Sequence, residues 1–308
     1  MFNGKKILVT GGSGMVGKAL KEIIPNSIFL SSKDDLRYWD ICDGIFKNHK
    51  PQIVIHLAAK VGGIKANQNY VGSFYRDNVL INTNVLDAAR LYSVEKLISL
   101  LSTCVFPDKV QYPLTEEQLH DGMPNDSNYG YAYSKRMLDV QSRAYRKQFG
   151  CNFITAIPNN IFGEHDRFHL EDGHVVPAMI RKIYEAKLEN RDVELWSSQA
   201  IREFTYSGDI AKSILFLMEN YNEESPVNIG NTEEYTIEQI SNLISYNLGF
   251  TGKIIWNNSN LGQLKKPSSN KKFLELGWKK EDYTNVEDAL KETCEWFVSM
   301  YPNVRGIK

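Results

Sequence analysis

At 308 residues, 42% hydrophobic and 24% charged, the chain is long enough for one large core with an attached lobe, or for two domains. A formal net charge of -1 without clustered Lys and Arg gives no support to a nucleic-acid or polybasic membrane surface, and no apolar run approaches the ~20 residues of a bilayer span. Cys42, Cys104, Cys151 and Cys294 show no C-x-x-C spacing, so neither a metal site nor a disulfide framework is expected, and the lack of a leader-like segment before the first strand pattern predicts a cytoplasmic protein.

Residues 5–10 form a short apolar run suited to a buried parallel strand, which leads into Gly11-Gly12-Ser13-Gly14-Met15-Val16-Gly17 and a helical pattern to Ile24. Strand, glycine turn and helix make a dinucleotide cradle: glycines at 11, 14 and 17 let the backbone turn tightly and approach a pyrophosphate, whose charge the amides at the helix start favour. Ser13, Met15 and Val16 belong to the same set of expected cofactor contacts. The spacing is G-x-x-G-x-x-G, not the G-x-G-x-x-G of ordinary dinucleotide dehydrogenases. The second strand, 27–30, is followed by Ser31-Ser32-Lys33, where an NAD-binding unit usually offers a carboxylate to the ribose 2′-hydroxyl. Small hydroxyls and a lysine suit a 2′-phosphate, so NADP(H) is expected, with Lys33 and Asp40 in its site; Asp34 and Asp35 come next in sequence. The third strand, 52–57, ends in Leu57, Ala58 and Ala59, residues that permit close passage past a cofactor. His56, inside the apolar run, reads as packed.

A helical stretch over 72–92 precedes a fourth strand, 96–101, which delivers Ser102-Thr103-Cys104 to its carboxyl end, the edge where open parallel sheets bind ligands. Next comes Ser127-Asn128-Tyr129-Gly130-Tyr131-Ala132-Tyr133-Ser134-Lys135 at the head of a long helical pattern. Residues four apart share a helix face, so the Lys135 ammonium can lie beside the Tyr131 phenol and lower a pKa that is normally near ~10. A phenol so tuned exchanges a proton with a substrate oxygen near neutral pH. Tyr129 and Tyr133 stand off that face. Ser102 can hydrogen-bond the same oxygen. The alternation of strands and helices through Pro158 predicts an α/β Rossmann fold, a doubly wound parallel sheet with helices on both faces.

T-G-G-S-G-M-V-G at 10–17, Ser102 and Y-A-Y-S-K at 131–135 resemble the extended short-chain dehydrogenase/reductase superfamily. S-T-C-V-F-P-D-K at 102–109, Y-G-Y-A-Y-S-K-R-M-L-D-V-Q at 129–141, E-D-G-H-V-V-P at 171–177 and K-E-T-C-E-W-F at 291–297 narrow the resemblance to the GDP-L-fucose synthase family, the GDP-4-keto-6-deoxymannose 3,5-epimerase/4-reductases. It runs nearly end to end. The resemblance implies an NADPH-dependent homodimer with Ser102, Tyr131 and Lys135 as the reductive triad and Cys104 and His174 as the acid and base of epimerisation. A thiol near ~8.5 and an imidazole near ~6.5 need only small shifts for that work near neutrality. His165 and His169 lie close to His174 in sequence, without a full metal-ligand pattern.

Beyond Pro158 the pattern becomes loop-rich, with a turn at Asn160-Ile161-Phe162-Gly163, a helix over 175–189, a strand over 193–196 and the segment Arg202-Glu203-Phe204-Thr205-Tyr206. The resemblance implies a nucleotide domain over 1–160, also receiving about 202–230, and a smaller, interleaved C-terminal substrate lobe over 161–308. Asn160, Arg202, Lys265 and Lys266 are its candidates for the sugar nucleotide, with a solvated face as the alternative for the two lysines.

Two loops depart from the family. W-G-x-G with a Pro before R-E-F becomes Trp196-Ser197-Ser198-Gln199-Ala200-Ile201-Arg202-Glu203-Phe204, and Glu164 stands where proline usually follows Gly163. Glycine loss restricts the backbone near a ligand, so the first loop is expected to take another path. Loops on a fixed scaffold set specificity. A GDP-4-keto sugar is expected, 4-keto-6-deoxymannose first and a related sugar such as a heptose, reduced by a dedicated C4-reductase, second. Dehydratases usually carry an acidic pair after the active-site hydroxyl, whereas here Thr103 precedes Cys104 and Val105. The reading of another class, a non-catalytic NADP-sensing module, is opposed by the retained Tyr131 and Lys135.

Overall fold

Runs of Ile, Leu and Val buried on both faces read as strands of a covered parallel sheet, and the computed structural model, which describes Phe2 and residues 4–257 and 264–307, has that form. The first half alternates β1 (Ile7–Thr10), α1 (Met15–Ile23), β2 (Ile28–Phe29), α2 (Trp39–His49), β3 (Ile53–His56), the short α3 (Ile64–Asn69), α4 (Val71–Leu91), β4 (Lys96–Leu100), α5 (Tyr129–Phe149) and β5 (Phe153–Ile157). The second half runs through β6 (Asn160–Phe162), α6 (Val175–Leu188), β7 (Val193–Trp196), β8 (Ile201–Tyr206), α7 (Ser207–Asn220) and β9 (Val227–Asn228). It ends with β10 (Glu234–Thr236), α8 (Ile237–Leu248), β11 (Ile254–Asn257), α9 (Lys271–Glu275) and α10 (Val286–Met300).

The main sheet has the order β2-β1-β3-β4-β5-β9, and every neighbouring pair is parallel. Leu8 lies opposite Val54, Val54 opposite Leu97, and Leu97 opposite Phe153. Alternation along the strands divides the core. Ile7, Val9, Ile53 and Ile55 pack with Leu20 of α1 and Ile214 of α7, while Leu8, Val54 and Leu97 pack with Phe46 of α2, Leu86 of α4 and Leu138 of α5. Helices therefore cover both faces. Strand order reverses between β1 and β3, and a ligand crevice is expected outside the carboxyl ends of strands at such a point.

A third core, with Phe162, Ile180, Phe204, Ile244 and Phe297 at its centre, belongs to the smaller lobe. Its chain is interleaved with the main sheet, because α7 packs on the α1 side and β9 adds the last parallel strand beside β5. Residues 160–163, expected as a turn, instead contribute β6, which pairs in parallel with β8; Phe162 and Phe204 make an edge-to-face aromatic contact, so burial in the lobe core holds this stretch extended. The short α3 was not foreseen either. Six residues are too few to show a helical period.

Helices α4 and α5 approach closely where both begin. A Cβ built on Gly130 would run into the Val71 carbonyl oxygen, so the absence of a side chain there sets the height at which Tyr131, one residue on, leaves α5. Gly130→Ala is expected to destabilise the fold by about 1–3 kcal/mol, in the range of overpacking changes. Urea unfolding measures the loss, and an unchanged midpoint would show that α4 can shift freely.

Candidate active site

The glycine turn opens the cleft. Gly11 has φ +68, a conformation that costs glycine little, and its carbonyl accepts the Gly14 N–H at 2.9 Å. A Cβ on Gly11 would lie 2.8 Å from the Ala58 nitrogen, and one on Gly17 would lie 2.6 Å from the Gly11 carbonyl oxygen. Gly14 is the N-cap of α1 and brings no side chain to its first amides. Bare N–H groups at a helix start beside a backbone-only wall fit a pyrophosphate. From here a cleft of about 1920 Å³ runs past Leu57, Ala58 and Ala59 to Ser102 and Tyr131 and on into the smaller lobe; Ser13, Met15 and Val16 also line it.

At its first end, the turn after β2 answers the question left by Asp34 and Asp35. The Asp34 carboxylate accepts the Ser31 N–H at 2.8 Å and the Ser31 hydroxyl at 3.2 Å. Asp35 accepts Arg37 Nε at 2.8 Å and Nη2 at 2.6 Å, and that guanidinium holds the Asp35 carboxyl below its ordinary range. Both carboxylates are thus engaged within their own turn. Arg37 also lines the cleft and faces Asp77 at 3.5 Å. Lys33 and Asp40 are exposed and do not form the cleft wall: the Lys33 N–H donates to the Ser31 hydroxyl at 3.2 Å, and Asp40 sits in the first turn of α2.

In the middle of the cleft, β4 ends and Ser102 leads a 3-10 turn over Thr103–Val105. Tyr131 comes from the first turn of α5, and Lys135 from the next. The buried Lys135 Nζ donates to the Leu100 carbonyl at 2.7 Å and stands 5.8 Å from the Tyr131 ring centre. The expected lowering of the Tyr131 pKa is not what this arrangement produces. Burial pushes the phenol up, and the neighbouring Cys104 acts in the same direction. The cation meant to stabilise the phenolate is directed at a carbonyl, and burial itself pulls Lys135 down to about 8. Tyr131 is therefore held in its protonated form by its surroundings.

Cys104 lies in the same wall and is half-buried. Burial pushes its thiol up, while the Ser102 hydroxyl and the charges of Lys266 and Lys135 pull it back. His174 lines the same cleft as the N-cap of α6, with half its side chain exposed. Burial pulls the imidazole down, but the carboxylate of Asp166, with Oδ1 at 3.9 Å from Nδ1, outweighs it and leaves the pKa above the ordinary value; Arg305 opposes. His56 is a packed residue, 1% exposed, against the Thr10 hydroxyl at 2.8 Å, with burial as the main cause that lowers its pKa to about 3.

The far end is basic. Arg202 and Lys266 line it, and burial lowers the pKa of both. Asn160 also lines the cleft, while its side-chain amide donates to the Glu203 carbonyl at 2.8 Å. Lys265 does not face this space: it pairs with Glu234 at 2.7 Å on the outer side, so of the adjacent lysines one points in and one out. Trp196 is 60% exposed and carries Lys182 at 4.3 Å over its ring, both in the cleft lining. Ser197, where the resembling family has glycine, takes φ +60. A left-handed backbone on a serine costs about 1 kcal/mol.

The sequence reading missed Asp166, Lys182, Arg305 and Arg37. Only Arg37 had a local signal, two residues after Asp35 in the stretch already under suspicion. Among the described residues no group of three or more His, Cys, Asp or Glu is placed to hold a metal.

The model of the NAD dependent epimerase/dehydratase family matches residues 7–230. GDP-L-fucose synthase from Dictyostelium discoideum is 42% identical over 313 residues, covering 98% of each chain. The crystal structure of a GDP-L-fucose synthetase from Naegleria fowleri bound to NADP superposes with TM-score 0.94 at 43% identity, covering 99% of this chain and 96% of that one. A GDP-mannoheptose C4 reductase from Campylobacter jejuni with NADP bound superposes with TM-score 0.87 at 27% identity, covering 97% and 99% of the two chains.

The Cys104 thiolate is favoured by the Lys266 charge, so Lys266→Met is expected to slow alkylation of Cys104 by iodoacetamide at pH 8. A reduction of about threefold corresponds to half a pKa unit of lost thiolate. Peptide mass spectrometry reads Cys104 separately from Cys151, and an unchanged rate would show that Lys266 does not act on the thiol.

Proposed function

Because the chain belongs to the NAD dependent epimerase/dehydratase family and, within it, to the GDP-L-fucose synthases, we propose that it is an NADPH-dependent enzyme that epimerises GDP-4-keto-6-deoxymannose at C3 and C5 and reduces it at C4 to GDP-L-fucose. The observation that carries this reading is the meeting of Ser102, Cys104, Tyr131, Lys135 and His174 in one cleft that begins at the glycine turn. The bound cofactor would supply the hydride. Preference for NADPH over NADH is supported by the turn after β2, where Asp34 is engaged by Ser31 and Asp35 by Arg37, so that neither carboxylate is free for a ribose 2′-hydroxyl, with Lys33 nearby in sequence to meet a 2′-phosphate.

Tyr131, kept protonated by burial, donates a proton to the C4 oxygen as the ketone is reduced, and Ser102 is the second donor to that oxygen. Lys135 ties the end of β4 to α5 through the Leu100 carbonyl and keeps both donors on one side of the substrate. The 4-ketone acidifies the hydrogens on both flanking carbons, so one enolate-stabilising pair of donors serves both epimerisations. Cys104 and His174, both in the cleft lining, exchange the protons at C3 and C5. Arg202 and Lys266 offer paired charge to the diphosphate.

A dedicated C4-reductase of a related GDP-4-keto sugar, such as a heptose, is the second reading. Its specific support is the changed loop with Ser197 at φ +60 beside Trp196 in the cleft. A cytoplasmic homodimer completes the proposal. Leu80 of α4 and Met137 and Val140 of α5 are exposed apolar residues on the two helices that suit self-association, and all four cysteines are free thiols.

The deciding experiment supplies GDP-4-keto-6-deoxymannose and NADPH to the protein alone and identifies the product by NMR. GDP-L-fucose is expected; reduction without inversion at C3 and C5 would replace the lead reading with the second. Tyr131→Phe is expected to lower NADPH oxidation by about 10²–10⁴-fold, with near wild-type turnover refuting its role as the acid. Lys33→Asp is expected to narrow the NADPH preference in steady-state kcat/KM, and an unchanged ratio would remove Lys33 from the phosphate site.

A further inference from the structure

Asp166 is 5% exposed. Its Oδ1 accepts the Arg167 N–H at 2.6 Å, and its Oδ2 is buried with no hydrogen-bond partner among the described residues. A carboxylate left half-satisfied in that way is costly unless a nearby cation compensates it. The partner in reach is His174, whose Nδ1 lies 3.9 Å from Oδ1. That is ion-pair distance, longer than a hydrogen bond.

The loop from 166 to 174 is held from several sides. The Phe168 N–H donates to the Arg305 carbonyl at 2.8 Å, the Gly173 N–H to the His169 carbonyl at 3.0 Å, and the Gly63 N–H to the Asp172 carbonyl at 2.8 Å. Arg181 donates to the Phe168 and Gly306 carbonyls at 3.1 and 3.0 Å. Asp166 and His174 are thus anchored at the two ends of a loop whose middle is fixed. The other nearby charges have partners: Glu171 pairs with Lys65 at 2.8 Å, and Asp172 sits 3.8 Å from Arg167 and 3.9 Å from His169. Arg305, from the segment after α10, is the cation that acts against the pair.

We propose that Asp166 is a positioning residue that holds His174 with its proton on Nδ1, so that Nε2 faces the cleft for proton exchange with the substrate. The role assigned to His174 rests on the reading above; the placement of its proton does not. A neutral imidazole bonded through Nδ1–H presents a lone pair on Nε2, and the protonated ring presents an N–H at the same point. Either form then works from one fixed nitrogen, with no ring flip between taking up a proton and returning it. Arg305 tempers the carboxylate and keeps the ring from being locked as a cation.

The test is nitrogen NMR of the histidines in the substrate-free protein across pH, with His174 assigned by loss of its signal in His174→Gln. The neutral ring is expected as the Nδ1–H tautomer in the wild type, and the Nε2–H tautomer would overturn the proposal without any variant. Asp166→Asn is expected to lower the His174 pKa by about one unit and Arg305→Gln to raise it; an unmoved His174 titration in folded Asp166→Asn would also overturn it. On activity, Asp166→Asn should cut solvent-deuterium incorporation into the sugar at least tenfold and shift its pH profile to lower pH, while NADPH binding followed by fluorescence stays unchanged. Asp166→Glu should recover part of the exchange. A wild-type protein that shows the tautomer but exchanges no deuterium would sink the epimerase reading and leave the positioning intact.

Discussion

The arrangement depends on a buried lysine. Lys135 is 3% exposed, and its ammonium is satisfied by the carbonyl of Leu100, the last residue of β4. A charge in that position is tolerated only because it is hydrogen-bonded, and the bond joins the second turn of α5 to the strand end that carries Ser102 and Cys104. Everything on α5 is indexed to β4 by this contact, including Tyr131 one turn earlier. The expectation that the Lys135 ammonium lowers the Tyr131 pKa is reversed, because burial raises the phenol while the cation is committed to the Leu100 carbonyl.

Much of the fold was legible because parallel sheets buried on both faces leave unbroken apolar runs, and the glycines between β1 and α1 have no alternative use once a Cβ on them would strike backbone. What failed to show were features created by packing across distance. Residues 160–163 look like a turn by composition, yet Phe162 is drawn into the smaller lobe and the stretch becomes a strand. Lys265 and Lys266 are identical in type and adjacent, and only the folded chain separates them, one against Glu234 and the other in the cleft lining. Asp166 reads as a loop residue. Its environment comes from His174, across a loop without a periodic pattern, and from Arg305, far along the chain.

The cleft is graded in charge along its length. Near β2 the carboxylates of Asp34 and Asp35 are engaged inside a single turn; at the centre, burial raises the pKa of a phenol and a thiol; further along, the half-buried Arg202 and Lys266 line the same space. Such a gradient favours anionic groups towards the basic end and uncharged groups at the centre.

The segment after α10 has a practical consequence. Val304 is buried, the Arg305 carbonyl receives the Phe168 N–H, and the Arg305 side chain enters the cleft wall. An affinity tag joined to this end, or a surface attachment made through it, would pull on the same backbone that frames His174. Protein prepared that way would carry a disturbed His174 loop for a reason unrelated to the chemistry of its side chains.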